Sequence, residues 1–157
     1  MIAVALDTTA VKGFMGRLLR EDVLDQFEVR GVELGLNIRI SINGAQEAPE
    51  TDETESPKAA GYVSWETLRP MIYDIIKNGS KPKLIKIVFS YKAQQAKEIH
   101  ANAAALFLNM VYENDTVYFT TATAQKEFAL DKSLDDSWDQ WVRSFFLQNN
   151  IAVSDRE

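Results

Sequence analysis

An amphipathic stretch occurs twice in this chain of 157 residues, at a shift of about 57 positions, and no other feature of the sequence constrains the fold as much. Val11, Phe14, Met15, Leu18 and Leu19 align with Leu68, Met71, Ile72, Ile75 and Ile76. Apolar positions alone would align in any two amphipathic helices. Here Lys12 and Arg20 also align with Arg69 and Lys77, and strand-like runs follow each copy. That combination predicts a duplicated strand-helix-strands plan, with repeats over roughly 1–44 and 61–131, rather than a fold shaped around a catalytic pocket.

The pattern along the chain fills in this plan. Ile2 to Leu6 reads as a strand, and Asp7 or Thr8 as the cap of a helix over roughly 9–20. Phe27–Leu34 and Leu36–Ile42 alternate as a hairpin turning at Gly35 and ending at Asn43-Gly44. Residues 45–60 lose the pattern: Pro49, Pro57 and an acidic run including Glu47, Glu50, Asp52, Glu53 and Glu55 predict a mobile acidic loop. Beyond it, Tyr62–Trp65 reads as a short strand, Ser64 as the cap of a helix over 65–78, and Leu84–Tyr91 as a strand. Ala93–Ala104 is alanine-rich and predicts a helix. Three strands follow, at Leu106–Tyr112, Thr116–Thr123 and Lys126–Leu130. Ser133 and Asp136 fit a capping box opening a C-terminal helix over 133–149, and 152–157 reads as a loose tail. The order predicts one α+β domain over 1–151 with mainly antiparallel sheets, since regular helix-strand alternation is missing.

Composition narrows the classes. An apolar content of 46% at this length supports one substantial core. No run approaches the roughly 18–20 apolar residues of a membrane span. Met1 to Asp7 carry no basic leader, so the cytoplasm is the expected location. With no cysteine there are no disulfides or thiolate sites. The net charge of -6 opposes non-specific nucleic-acid binding overall, although the acid is concentrated in the 47–55 run and around Asp135, Asp136 and Asp139, leaving room for a local basic face.

The segments SWETLRPMIYDIIKNG (64–79) and LFLNMVYENDTVYFTTATAQKEFALDKSLDDSWDQWV (106–142) resemble an uncharacterised family of Firmicutes proteins, a domain of unknown function. That resemblance carries no catalytic residues. More distantly, MIAVALDTTAVKGFMGRLLRED and YVSWETLRPMIYDIIKNG resemble the two strand-helix openings of a DNA sliding-clamp domain. The clamp likeness implies helices facing DNA, sheets outside, and a homo-oligomer, because one such domain is too small to encircle a duplex.

On a clamp-like fold, Lys12, Arg17, Arg20, Arg69 and Lys77 would face phosphates and act without reading sequence. The competing reading makes them ordinary solvated groups, neutralised by Glu21, Asp22 and Asp74. Lys81, Lys83 and Lys86 extend a basic patch or simply protect a strand edge. His100 is the only histidine, and no serine sits in a nucleophile-elbow glycine pattern. A surface or helix-end histidine accounts for it. Asp135, Asp136 and Asp139 suit the first turns of a helix. No phosphate loop, metal-ligand spacing or cofactor motif is found, so no cofactor or metal is expected. Trp138, Trp141, Phe145 and Phe146 form an aromatic stripe at helical spacing, read as core or as an interaction face. Gln140 ahead of paired aromatics invites comparison with clamp-binding peptides, but Arg143 occupies their aliphatic position.

The expected function is a non-enzymatic binding or scaffold protein contacting nucleic acid through its basic helix faces. The alternative is a protein-interaction domain using a sheet edge or the C-terminal aromatic face. A hydrolase or ligand-binding enzyme is a third reading, for which a deep pocket with a perturbed carboxylate would be the sign.

Overall fold

A computed structural model describes residues 1–47 and 61–156. The expected loop over 45–60 falls, from residue 48 onward, outside the described residues.

Among the described residues seven strands form one antiparallel sheet. They are β1 (Ala3–Leu6), β2 (Glu28–Gly35), β3 (Arg39–Asn43), β4 (Leu84–Ser90), β5 (Ala103–Glu113), β6 (Thr116–Gln125) and β7 (Val153–Asp155), in the spatial order β3-β2-β4-β5-β6-β1-β7. Side chains alternate across a strand, so register decides which residues share a face. Ile87 sits opposite Val32 on one side and Met110 on the other, and Met110 in turn opposite Phe119. All four are buried, as are Ile85, Phe89, Leu106 and Leu108 in the same rows. Lys86, Val88, Asn109, Val111, Tyr118 and Thr120 occupy the opposite rows and are exposed or part-exposed. One wet face and one dry face is the usual arrangement of an antiparallel sheet.

The dry face is covered by α1 (Val11–Arg20), α2 (Trp65–Asn78), α3 (Ala93–Ile99) and α4 (Ser133–Gln148). A short 3-10 turn at Thr8–Ala10, capped by Asp7 accepting from the Thr9 N–H at 3.1 Å, leads into α1. Helix α2 spans the expected 65–78, and the Ser64 hydroxyl accepts from the Thr67 N–H at 3.2 Å. Aromatic contacts bind the layers: Phe14 meets Phe119 edge-on at 5.6 Å, and Trp65 meets Phe89 at 5.5 Å. Trp65 also donates its indole N–H to the Leu18 carbonyl at 3.1 Å, satisfying one of the orphan acceptors at the end of α1. Polar ties join sheet to α4 as well. Thr121, buried in β6, donates to Asp139 at 2.5 Å, and Thr123 donates to Asp135.

Gly44 is required by steric exclusion. The chain leaving β3 presses on β2 so closely that an added Cβ would lie 1.8 Å from the Val29 carbonyl oxygen.

Several expectations need correction. The hairpin turns at 36–38 rather than at Gly35, which instead pairs with Arg39. Tyr62 and Ser64 make only isolated bridges, to Ala45 and Glu28. The helix expected to reach Ala104 stops at Ile99, and Ala103 is buried in β5. No strand forms over Lys126–Leu130. Side-chain amides take the partner's place there: Asn102 pairs with the backbone of Glu127 through both amide atoms, and Gln125 does the same with Ala129. Phe128 and Leu130 are consequently exposed. The residues expected to form a loose tail include β7, which pairs along β1 because β1 otherwise presents a free row of backbone groups. Ser133 does not cap α4; Asp131 accepts from the Ser133 N–H at 3.0 Å instead.

The alignment of the two repeated helices also changes. The buried residues are Val11, Phe14 and Leu18 in α1 and Trp65, Leu68 and Ile72 in α2. These superimpose at a shift of 54, whereas the 57 register pairs buried Phe14 with exposed Met71. At 54, Lys12 and Arg20 fall opposite Glu66 and Asp74, so the matched cations are lost.

Candidate functional site

Helices α1 and α2 pack antiparallel: the end of α1 meets the start of α2 through the Trp65–Leu18 bond, while Val11, Met15 and Ile76 border one cleft. This divides the five basic residues between two ends. Lys12 and Lys77, both exposed, lie at one end; Arg17, Arg20 and Arg69 lie at the other. The arginines are not equivalent. Arg69 grips Asp25 with two parallel bonds, Nε to Oδ1 at 2.9 Å and Nη2 to Oδ2 at 2.6 Å, and both side chains are mostly buried. This bidentate bond raises the Arg69 pKa above its already high ordinary value. Arg69 is therefore committed to holding α2 against the loop after α1. Arg17 lies 3.8 Å from Glu21, a loose surface pair. Arg20 folds back along its own helix over Gly16.

The aromatic stripe of α4 divides differently. Trp138, Phe145 and Phe146 are buried, and the Trp138 indole donates to the Phe107 carbonyl at 2.9 Å. Those three are core. Trp141 is half-buried and stacks flat between two neighbours, Trp138 at 5.1 Å and Phe145 at 5.6 Å. Tyr91 closes on it at 4.8 Å. Trp141, Tyr91 and Phe145 floor a groove of about 630 Å³ between α3 and α4. Its rim is amide and hydroxyl: Gln26, Gln95, Gln140, Gln148 and Asn149 with Ser137 and Ser144. Among the described residues Glu98 is the one charged side chain lining it. Burial, followed by the nearby Glu98 charge, raises the Tyr91 phenol above its ordinary range.

His100, at the end of α3, does meet a serine and an aspartate. Its Nε2 lies 2.9 Å from Ser133 Oγ, and that hydroxyl donates to Asp131. The polarity is the reverse of a nucleophilic triad. Nδ1 accepts the Asn102 N–H at 3.0 Å, so the neutral ring carries its proton on Nε2 and donates to the serine rather than accepting from it. The hydrogen bond from Ser133 holds the Asp131 carboxyl below the usual carboxylate range. The trio joins the end of α3 to the start of α4.

Among the described residues no group of three or more acidic or histidine side chains gathers at metal-binding distance. Nor is any described helix long and apolar enough to cross a membrane.

The profile of DUF5721, a family of unknown function, matches residues 17–154. The chain belongs to this family. No curated protein and no solved structure matches it. The matched DUF5721 span contains α2, α3 and α4 entire, hence all of the groove and the Arg69–Asp25 pair, but excludes Lys12. Of the expected aromatic set, Trp141 and Phe145 line a formed concavity, and Trp141 is the part-exposed one of the four. The amides around it were missed. Their signal was present in the sequence: Ser137, Gln140, Ser144 and Gln148 recur at three- and four-residue spacing beside Trp141, a polar stripe flanking the aromatic one.

Proposed function

We propose that this protein is a non-enzymatic binding module that docks an extended segment of a partner protein into the groove between α3 and α4. The observation that carries this reading is Trp141, a half-buried ring held between Trp138 and Phe145 under a rim of amides. A ring stacked on both flanks is already ordered, so little side-chain entropy is lost when a ligand covers it. Carboxamides both donate and accept, matching the alternating N–H and C=O groups of an extended peptide. With Glu98 the one charge in the lining among the described residues, the fitting segment is neutral or basic and carries an apolar side chain for the ring. A groove of this size suits a weak, transient interface rather than an obligate one.

The test is peptide-library selection on the intact chain, followed by titration of the recovered sequences against Trp141→Ala. Loss of at least about tenfold in affinity, equivalent to about 1.4 kcal/mol, with the melting curve retained supports the reading. Peptides that bind the variant equally well, or no saturable binder at all, refute it.

Nucleic-acid contact is the second reading, favoured by Lys12, Arg17, Arg20 and Lys77 standing outward on adjacent helices. Arg69 is unsuited to its test, because charge reversal there would break the pair with Asp25. The variant that tests it is Lys12→Glu with Arg20→Glu. Binding through phosphates would fall steeply with salt and disappear in that variant, whereas groove binding would do neither.

A further inference from the structure

A second concavity lies at the far end of the α1–α2 pair. Val11, Met15 and Leu19 of α1, Ile76 of α2 and Ile85 of β4 line a cleft of about 480 Å³. Val11 and Ile85 are buried, while Met15, Leu19 and Ile76 are part-exposed along its walls. Thr8, Lys12, Lys81, Tyr112 and Asp115 are the polar residues of its lining. Tyr112 donates its phenol to Asp115 Oδ1 at 2.9 Å, and Lys81 Nζ reaches the same oxygen at 3.1 Å. Asp115 is brought there by a tight turn in which Asn114 and Asp115 both take positive φ, 53° and 58°. That backbone favours glycine, asparagine or aspartate, and here aspartate places a carboxylate at the rim. Lys81 and Tyr112 thus engage Asp115, while Lys12 on the opposite wall is exposed and pairs with no acid among the described residues. Among the described residues the lining therefore carries a single unbalanced positive charge beside its apolar walls.

We infer that this cleft binds an amphipathic monocarboxylate, its alkyl chain between Met15, Leu19 and Ile76 and its carboxylate on Lys12. The volume falls within the range of small-molecule sites, and a few polar groups over an apolar lining is their common composition. A monoanion matches the unbalanced charge of the lining, and a dianion would also meet the Asp115 carboxylate. The cleft and the α3–α4 groove lie on different helices, so the two assignments stand or fall separately.

The experiment is a titration of the full chain with decanoate, followed by calorimetry and by the methyl resonances of its four methionines. Decanol and decyltrimethylammonium serve as the neutral and cationic controls. Met15 lies in the cleft, Met110 is in the core, and Met71 is exposed elsewhere, so the spectrum reports the place of binding. The expected result is saturable one-to-one binding of decanoate that shifts the Met15 signal, assigned with Met15→Leu. Lys12→Glu should weaken it at least tenfold without altering the melting curve. Absence of saturable binding, equal binding of the three probes, equal affinity in Lys12→Glu, or a shift confined to Met71 overturns the inference. So does a concentration-dependent dimer that already covers Met15.

Discussion

The pair between Arg69 and Asp25 decides whether a basic residue on α2 serves the fold or a ligand. The perturbation is a double-mutant cycle: Arg69→Ala, Asp25→Ala and both together. At about 4 Å between charge centres, attraction is about 1 kcal/mol in bulk water and about 4 kcal/mol at the effective dielectric of a protein surface. The two side chains retain 17% and 15% of their exposure, so they lie nearer the second limit, discounted for partial screening. A coupling energy of about 2–3 kcal/mol follows, with each single variant losing at least that much, since it strands the other charge. Urea unfolding monitored by circular dichroism supplies the four free energies, and an unchanged m-value confirms that the folded states remain comparable. A coupling below about 0.5 kcal/mol, the value of an ordinary exposed pair, would refute the argument and return Arg69 to the ligand-facing set.

Trp65→Phe should cost about 2–4 kcal/mol, from the stranded Leu18 carbonyl and the space left by the lost ring, read as a lower urea midpoint. Trp141→Phe, whose ring is half-buried, should cost less than about 1 kcal/mol in the same assay. Gly44→Ala should destabilise by more than about 3 kcal/mol, because the obstructing atom is a backbone carbonyl and cannot rotate away; a melting temperature within about 2 °C of the parent would contradict that contact. The Asp115 carboxyl is held low by its bonds from Tyr112 and Lys81, so its contribution is present above the unfolded carboxylate pKa of about 3.9 and is lost as pH falls through the lower folded value. Asp115→Asn should therefore flatten the acid limb of stability against pH. The Tyr112 phenol is raised, chiefly by burial, so absorbance titration should show it ionising later than a free tyrosine.

What could be read beforehand followed from how local each cause is. The approximate span of α2 was legible because Ser64 caps its start and the apolar period runs unbroken from there. The buried rows of β4 and β5 were legible from alternation. The missing strand at 126–130 was not, since its backbone is satisfied by Asn102 and Gln125, side chains whose partners only the fold supplies. Likewise β7 owes its form to β1, more than a hundred positions away, rather than to anything in Val153–Asp155. In the site, aromatic spacing marked α4 but could not separate Trp141 from Trp138, because a seat in the core differs from one at its edge only in what packs above. The five cations were visible as a set; that Asp25 removes Arg69 from it depends on a loop conformation with no periodic signature.

The placement of β1 between β6 and β7 has a bearing on the order of assembly. Ala3 registers with Thr120 and Val4 with Asp155, so β1 precedes both neighbours by more than a hundred positions and finds neither until each has been synthesised. The β2-β3 and β5-β6 hairpins close over short distances and are free to form early, but the sheet stays open on the β6 side until β1 arrives. Closure over such separations is slow relative to hairpin formation. Between the synthesis of β6 and that closure, therefore, the backbone of β6 is an unguarded edge, and this interval is when the new protein is most exposed to pairing with another copy of itself.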